Sequence, residues 1–250
     1  MSVLQTTHHD EVKKHPLGLS IVLHLLPGLL IGAFYFVLVN PLANLGLPSI
    51  TAFLLTSVLV LIPFELGFLL LQAKRAGTRK LEGIVLYRER IPFTQYLLWV
   101  PIIFILAGLV FTLLRPLSTT LEAWFSWIPQ SLKLDMGLNG GYSKQILIYT
   151  TLLNFLFVVL IGPAIEELYF RGYLLPRMPD LKGWAPVLHS SLFALYHTWT
   201  PWMFVTRTLA VLPLIYVVRW KKNIWLGVAA HCLLNAIDVI LVIAVILNMP

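Results

Sequence analysis

"IGPAIEELYFRGYLL", residues 161–175, sets Glu166, Glu167 and Arg171 inside a run that otherwise reads as membrane-buried helix. A charged side chain at bilayer depth costs roughly 2.5–3.5 kcal/mol on insertion scales, so such residues pair, face a wet cavity or do chemistry. On a helix, Glu167 and Arg171 are i and i+4 and can pair, here near the membrane edge. Glu166 is turned by about 100° from Glu167 and has no partner in its own helix.

The surrounding chain fits a membrane reading. Of its 250 residues, 58% are hydrophobic and only 12% are charged, and the mean hydropathy is +0.84. A soluble domain could not solvate that surface, so the fold class is all-α, a polytopic transmembrane bundle of about seven to eight helices. Apolar runs fall at about 17–39, 50–72, 95–114, 145–175, 184–199, 202–219 and 224–247. The fourth exceeds one simple span, and its last turns, Arg171 to Arg177, are expected to project at the cytoplasmic face. The fifth is short and is broken at Pro201. A net charge of +7 would suggest nucleic acid in a soluble protein. Here the basic residues cluster between spans, so the positive-inside rule explains them and no nucleic-acid partner is expected.

Loop 73–92 holds Lys74, Arg75, Arg79, Lys80, Arg88 and Arg90 against Glu82 and Glu89. It is placed in the cytoplasm, together with the N-terminus (Lys13, Lys14), residues 177–182 and residues 219–222. The stretch 115–144 is then outside, and "LSTTLEAWFSWI" within it, with Trp124, Phe125 and Trp127, reads as an interfacial helix. The polar N-terminus lacks the form of a cleaved signal, so the first span is expected to insert uncleaved. The single cysteine, Cys232, excludes an internal disulfide.

Two further polar clusters lie in apolar runs. In "FALYH", Phe193 and His197 share a helix face; in "HCLLN", His231 and Asn235 do. By helical rise, Glu166 lies about 16 Å from Arg177, His197 about 22 Å from Lys182 and His231 about 13 Å from Lys222. One level in the membrane can therefore hold Glu166, His197, His231 and Asn235. Each residue alone has a bland reading, as helix–helix glue or a solvated helix end; together they point to a site. Glu65, Arg207 and Asp238 are also intramembrane charges, which a small transporter could use, although the two related halves such a transporter would show are missing. Arg207 lies about 9 Å from the outer end at Pro201, and Asp238 about 24 Å from Lys222. They are expected to form a structural ion pair between the sixth and seventh runs, the rival being an Arg207 that snorkels alone to the outer interface.

"EELYFR", "FALYH" and "HCLLN" follow in order the E-E-x-x-x-R, F-x-x-x-H and H-x-x-x-N motifs of the CPBP family. The chain thus resembles the type II CAAX prenyl proteases and the bacteriocin-processing (Abi) intramembrane proteases over about residues 145–247. The first three spans share only general character with that family. The H-E-x-x-H of zinc site-2-type proteases, the G-x-S-x-G of a serine site and the paired aspartates of presenilin-like enzymes are missing. The resemblance implies a cytoplasmic tail (1–16), a variable N-terminal transmembrane region with the outer interfacial helix (17–144) and a catalytic core (145–250), in the plasma membrane of a prokaryote.

It also implies that Glu166 and His197 hold and deprotonate a water, that Glu166 returns the proton to the leaving amine, and that His231 and Asn235 donate to the oxyanion. Glu167 and Arg171 would be structural or would orient Glu166, and Phe193 would pack beside His197. The rival is a zinc site of Glu166, His197 and His231 with an open fourth position. The metal-free reading is favoured, with no cofactor, because Asn235 is a poor zinc ligand but a good oxyanion donor. Besides membrane lipid, the implied partner is a peptide or protein: a prenylated C-terminus, a bacteriocin leader or a membrane-protein segment. A scaffold or immunity protein that cleaves nothing is the non-enzymatic alternative.

Overall fold

The computed structural model describes residues 12–138 and 141–249. Of the expected tail, residues 1–11 lie outside the described residues, as do residues 139 and 140 of the outer stretch. The helices are α1 (Leu17–Asn44), α2 (Ser49–Arg75), α3 (Phe93–Leu113), α4 (Arg115–Ala123), α5 (Lys144–Arg177), α6 (Ala185–Tyr196), α7 (Phe204–Lys221) and α8 (Ile224–Leu247). Among the described residues, six helical segments are long and apolar enough to cross a membrane: α1, α2, α3, α5, α7 with its preceding turn, and α8. The polytopic helical bundle expected from hydropathy is therefore present. The run 184–199 yields only a 12-residue helix. At about 1.5 Å per residue α6 is too short to span, and it ends inside the bundle at His197.

Sequence sets the helix ends. Ser143 caps α5 by accepting from the Ile146 N–H. Asn223 caps α8 by accepting from the Leu226 N–H at 2.8 Å, while its amide donates to the Glu89 carbonyl at 2.7 Å. A short helix begins at Arg115 with Pro116 in its first turn and ends at Ala123, so the outer "interfacial" stretch is helical only in part. Trp124 and Trp127, beyond its end, are about three-quarters exposed, as an interfacial anchor requires.

The four basic segments gather on one face of the bundle. The His15 N–H donates to the Arg177 carbonyl, Leu86 N–H to Gly172 and Glu89 N–H to Lys222. The outer stretch lies at the other end, where Ser49 engages the backbone of Lys133 and Asp135. The last turns of α5 do not project from the bundle as expected. Phe170 to Pro176 are buried, because the N-terminal segment and the 81–91 loop cover them.

The N-terminal half is packed into the same core as the C-terminal half. Tyr35 and Leu69 lie with Tyr169, Phe170, Phe193 and Tyr196 in one apolar cluster. Gly28 makes this possible, since any Cβ there would collide with the Tyr196 carbonyl, so α1 and α6 touch backbone to backbone. Thr198 Oγ1 then donates to the Gly28 carbonyl at 2.7 Å.

Candidate active site

Helix α5 presents its acids through widened turns. Pro163 has no N–H and its ring crowds the carbonyl four residues back, so the preceding segment, Phe155–Ile161, opens into π-helical geometry. A second π-helical stretch, Glu167–Leu174, follows. Such turns leave carbonyls without helical partners and concentrate at functional sites. Here the Val158 carbonyl accepts from Asn235 Nδ2 of α8 at 3.0 Å. An asparagine amide has two N–H groups, so one is committed to this bond and one remains.

Glu167 and Arg171 do pair, with Arg171 Nη1 at 3.3 Å from Glu167 Oε1. The pair is fully enclosed by protein, with both side chains 0% exposed. The guanidinium lies 3.9 Å from the centroid of the Phe193 ring, a cation–π contact. The same Glu167 Oε1 is 3.0 Å from His231 Nδ1. Glu167 is thus the hinge between the arginine of its own helix and the histidine of α8. Gly227 makes the seat for it: a Cβ at that position would stand 2.6 Å from Glu167 Oε2.

Glu166 points elsewhere, as the helical rotation from Glu167 requires. Its Oε1 accepts from the Tyr196 hydroxyl at 3.1 Å, and its Oε2 lies 3.7 Å from His231 Nε2. That second distance is within ion-pair range but too long for a hydrogen bond. His231 therefore turns one ring nitrogen to each glutamate.

His197 comes from the C-terminal end of α6. Its Nδ1 is 2.8 Å from the Phe193 carbonyl. A carbonyl only accepts, so Nδ1 carries the proton and Nε2 keeps its lone pair, the tautomer that accepts a hydrogen bond from water. Phe193, Tyr196 and Trp199 surround the imidazole, their ring centroids 4.9–5.0 Å from its own. Phe193 therefore packs beside His197 as expected, and its backbone also fixes the tautomer.

The zinc alternative required Glu166, His197 and His231 to face one point. Among the described residues no three His, Cys, Asp or Glu side chains are grouped so as to hold a metal ion. His231 turns Nδ1 to Glu167 at 3.0 Å and Nε2 toward Glu166 at 3.7 Å.

The expected ion pair between Arg207 and Asp238 is not formed. Arg207 Nη2 donates to Thr200 Oγ1 at 3.0 Å, and Asp238 is exposed on α8. The reason is packing: α7 runs chiefly against α6 and α3 rather than along α8, so the outer end of α8 leaves Arg207 behind.

Two residues near Glu166 were not assigned to the site from the sequence. Tyr196, fully buried, carries the hydroxyl that bonds Glu166; it sits inside "FALYH", but nothing in that spacing marks it. Glu65 is 0% exposed and faces the Tyr196 hydroxyl, the same group that bonds Glu166. It lies in a π-helical turn of α2, Ile62–Leu66, opened by Pro63 and packed on the Gly162–Glu166 turn, within electrostatic reach of Glu166. Its charge in an apolar run was the available signal, and it had no motif to attach to.

Residues 148–237 match the family described as Type II CAAX prenyl endopeptidase Rce1-like. This range spans Glu166, His197, His231 and Asn235. No curated protein and no solved structure matches the chain significantly.

Proposed function

From a segment 148–237 that belongs to the CAAX-type family of intramembrane endopeptidases, we propose that this chain hydrolyses a peptide bond with a water activated by Glu166 and His197. The observation that carries the reading is the placement of Glu166: its carboxylate is held between His231 Nε2 and the hydroxyl of Tyr196, the residue that precedes His197 in sequence. His197 supplies the unprotonated Nε2 that holds the water, and Glu166 takes its proton. The hydroxide oxygen bonds to the carbonyl carbon while the carbonyl electrons move to oxygen. With both ring nitrogens of His231 protonated between the two glutamates, its Nε2–H and the uncommitted amide hydrogen of Asn235 donate to that oxyanion. Glu166 then passes its proton to the amine nitrogen as the C–N bond breaks. Glu167, bonded to His231 Nδ1, orients the imidazole and is a positioning residue.

We favour the metal-free route over a zinc site because Asn235, a poor zinc ligand but a good oxyanion donor, stands one helical turn from His231. A prenylated C-terminal peptide is the substrate we assign first; a bacteriocin leader and a membrane-protein segment are the alternatives. The test is turnover of a quenched, farnesylated peptide by the purified protein in lipid. Wild type should cleave it, and Glu166→Gln and His197→Ala should be inactive while melting like wild type. Near-normal turnover by Glu166→Gln refutes the mechanism. Stoichiometric zinc in the active preparation, with activity lost to a chelator, refutes its metal-free form. Comparative proteomics of membrane fractions bearing wild type or Glu166→Gln identifies the natural substrate as the chain that loses a fragment.

A further inference from the structure

Freed from Asp238, the Arg207 side chain turns into the bundle. Its Nη2 bonds Thr200 Oγ1, and the Thr200 N–H in turn donates to the His197 carbonyl at 3.0 Å. The guanidinium is thereby fastened to the corner between α6 and α7 that carries His197. It interacts electrostatically with both His197 and Glu166. Its other terminal nitrogen, Nη1, is buried and has no hydrogen-bond partner among the described residues. A buried cationic donor left unpaired is costly, so a water, an ion or a ligand oxygen has to meet it.

The charges around it narrow the ligand. Arg171 is matched by Glu167 in direct contact. Arg207 touches no carboxylate; Glu166 opposes it only at a distance. Meanwhile Asn235 has one amide hydrogen spent on Val158, and His231 Nδ1 is spent on Glu167. The oxyanion donors expected from the sequence are thus half committed, and a strong donor stands free on the His197 side.

We propose that Arg207 is a catalytic residue of the hydrolysis, its Nη1 binding the negatively charged oxygen of the tetrahedral intermediate. The inference rests on the protease reading above and deepens it. Charge is conserved through the step. Before attack the negative charge is on Glu166. When Glu166 takes the proton of water and the new C–O bond forms, the same charge appears on the former carbonyl oxygen. Arg207 is a fixed counter-charge that gains a direct contact at that moment, which is the condition for lowering the barrier rather than tightening substrate binding. When the C–N bond breaks, the oxygen returns to a neutral carbonyl, the amine takes the proton from Glu166, and Glu166 is again the anion.

The test has two arms. In the turnover arm, Arg207→Gln should lower kcat on the farnesylated peptide by roughly a hundredfold or more, with KM changed by less than about threefold. Arg207→Lys should recover part of the loss, and added guanidinium ion should restore turnover to Arg207→Ala but not to Glu166→Gln. Unchanged kcat, or a loss that guanidinium leaves untouched, overturns the assignment. In the melting arm, without substrate, Arg207→Gln should unfold at or above the wild-type temperature, because it removes an unpaired buried charge. A lower melting temperature makes Arg207 a brace for the α6–α7 corner and overturns the inference whatever the turnover. A wild type that leaves the peptide intact refutes the assigned substrate, and the melting arm alone then decides Arg207.

Discussion

Gly227→Ala is the sharpest probe of how the two glutamates are kept apart. The added Cβ would meet Glu167 Oε2 at 2.6 Å and Val218 Cγ2 at 2.9 Å. Reaching ordinary contact, 3.4 Å, moves the carboxylate oxygen by about 0.8 Å. A free glutamate would yield at little cost. This one is pinned by His231 at 3.0 Å and Arg171 at 3.3 Å, so its movement lengthens one or both contacts. Overpacking typically costs about 1–3 kcal/mol, and replacing helical glycine by alanine returns up to about 1 kcal/mol. The net loss of stability should be roughly 0–3 kcal/mol, at roughly 2–4 °C of melting temperature per kcal/mol for a chain of this size. Turnover should suffer more, because a misplacement near 1 Å can cost about a hundredfold. The assay pairs thermal unfolding with peptide cleavage, using Gly108→Ala as control. Gly108 is also helical, but a Cβ there meets nothing within 4 Å, so that variant should match or exceed wild type in both. If Gly227→Ala turns over like Gly108→Ala, the seat of Glu167 against α8 does not govern the site.

His231→Ala and Asn235→Ala should each lose roughly a hundredfold in kcat, read by the same peptide assay, as the loss of an oxyanion donor does. Arg171→Ala should lower the folded yield before it lowers turnover per folded molecule, since breaking a buried pair costs about 3–5 kcal/mol. Exchanging both charges, Glu167→Arg with Arg171→Glu, should return part of that yield but not the turnover, because His231 loses its carboxylate; size-exclusion yield and kcat separate the two. Asn223→Ala should destabilise by on the order of 2 kcal/mol, measured by thermal unfolding, because one side chain caps α8, accepts from the Tyr96 hydroxyl and donates to Glu89.

What the sequence disclosed, and what it hid, follows from the range of each interaction. Spans were legible because apolar length is a local property, and the basic loops 73–92, 177–182 and 219–222 do share one face of the bundle. Glu167 with Arg171, and Phe193 with His197, were legible because i,i+4 neighbours meet on a helix whatever surrounds it. The complete burial of the Glu167–Arg171 pair was not, since the N-terminal segment and the 81–91 loop fold over the end of α5. Arg207 and Asp238 were matched by counting rise along two helices joined by a short turn. Rise fixes height, but not which neighbour a helix packs against, and α7 leans on α6 and α3. Glu65 illustrates the same limit from the other side. Its height in α2 says nothing of Glu166 until the widened turn at Pro63 packs on the Gly162–Glu166 segment of α5. That contact is tertiary, and it brings a third carboxyl group beside the two with which the motif begins.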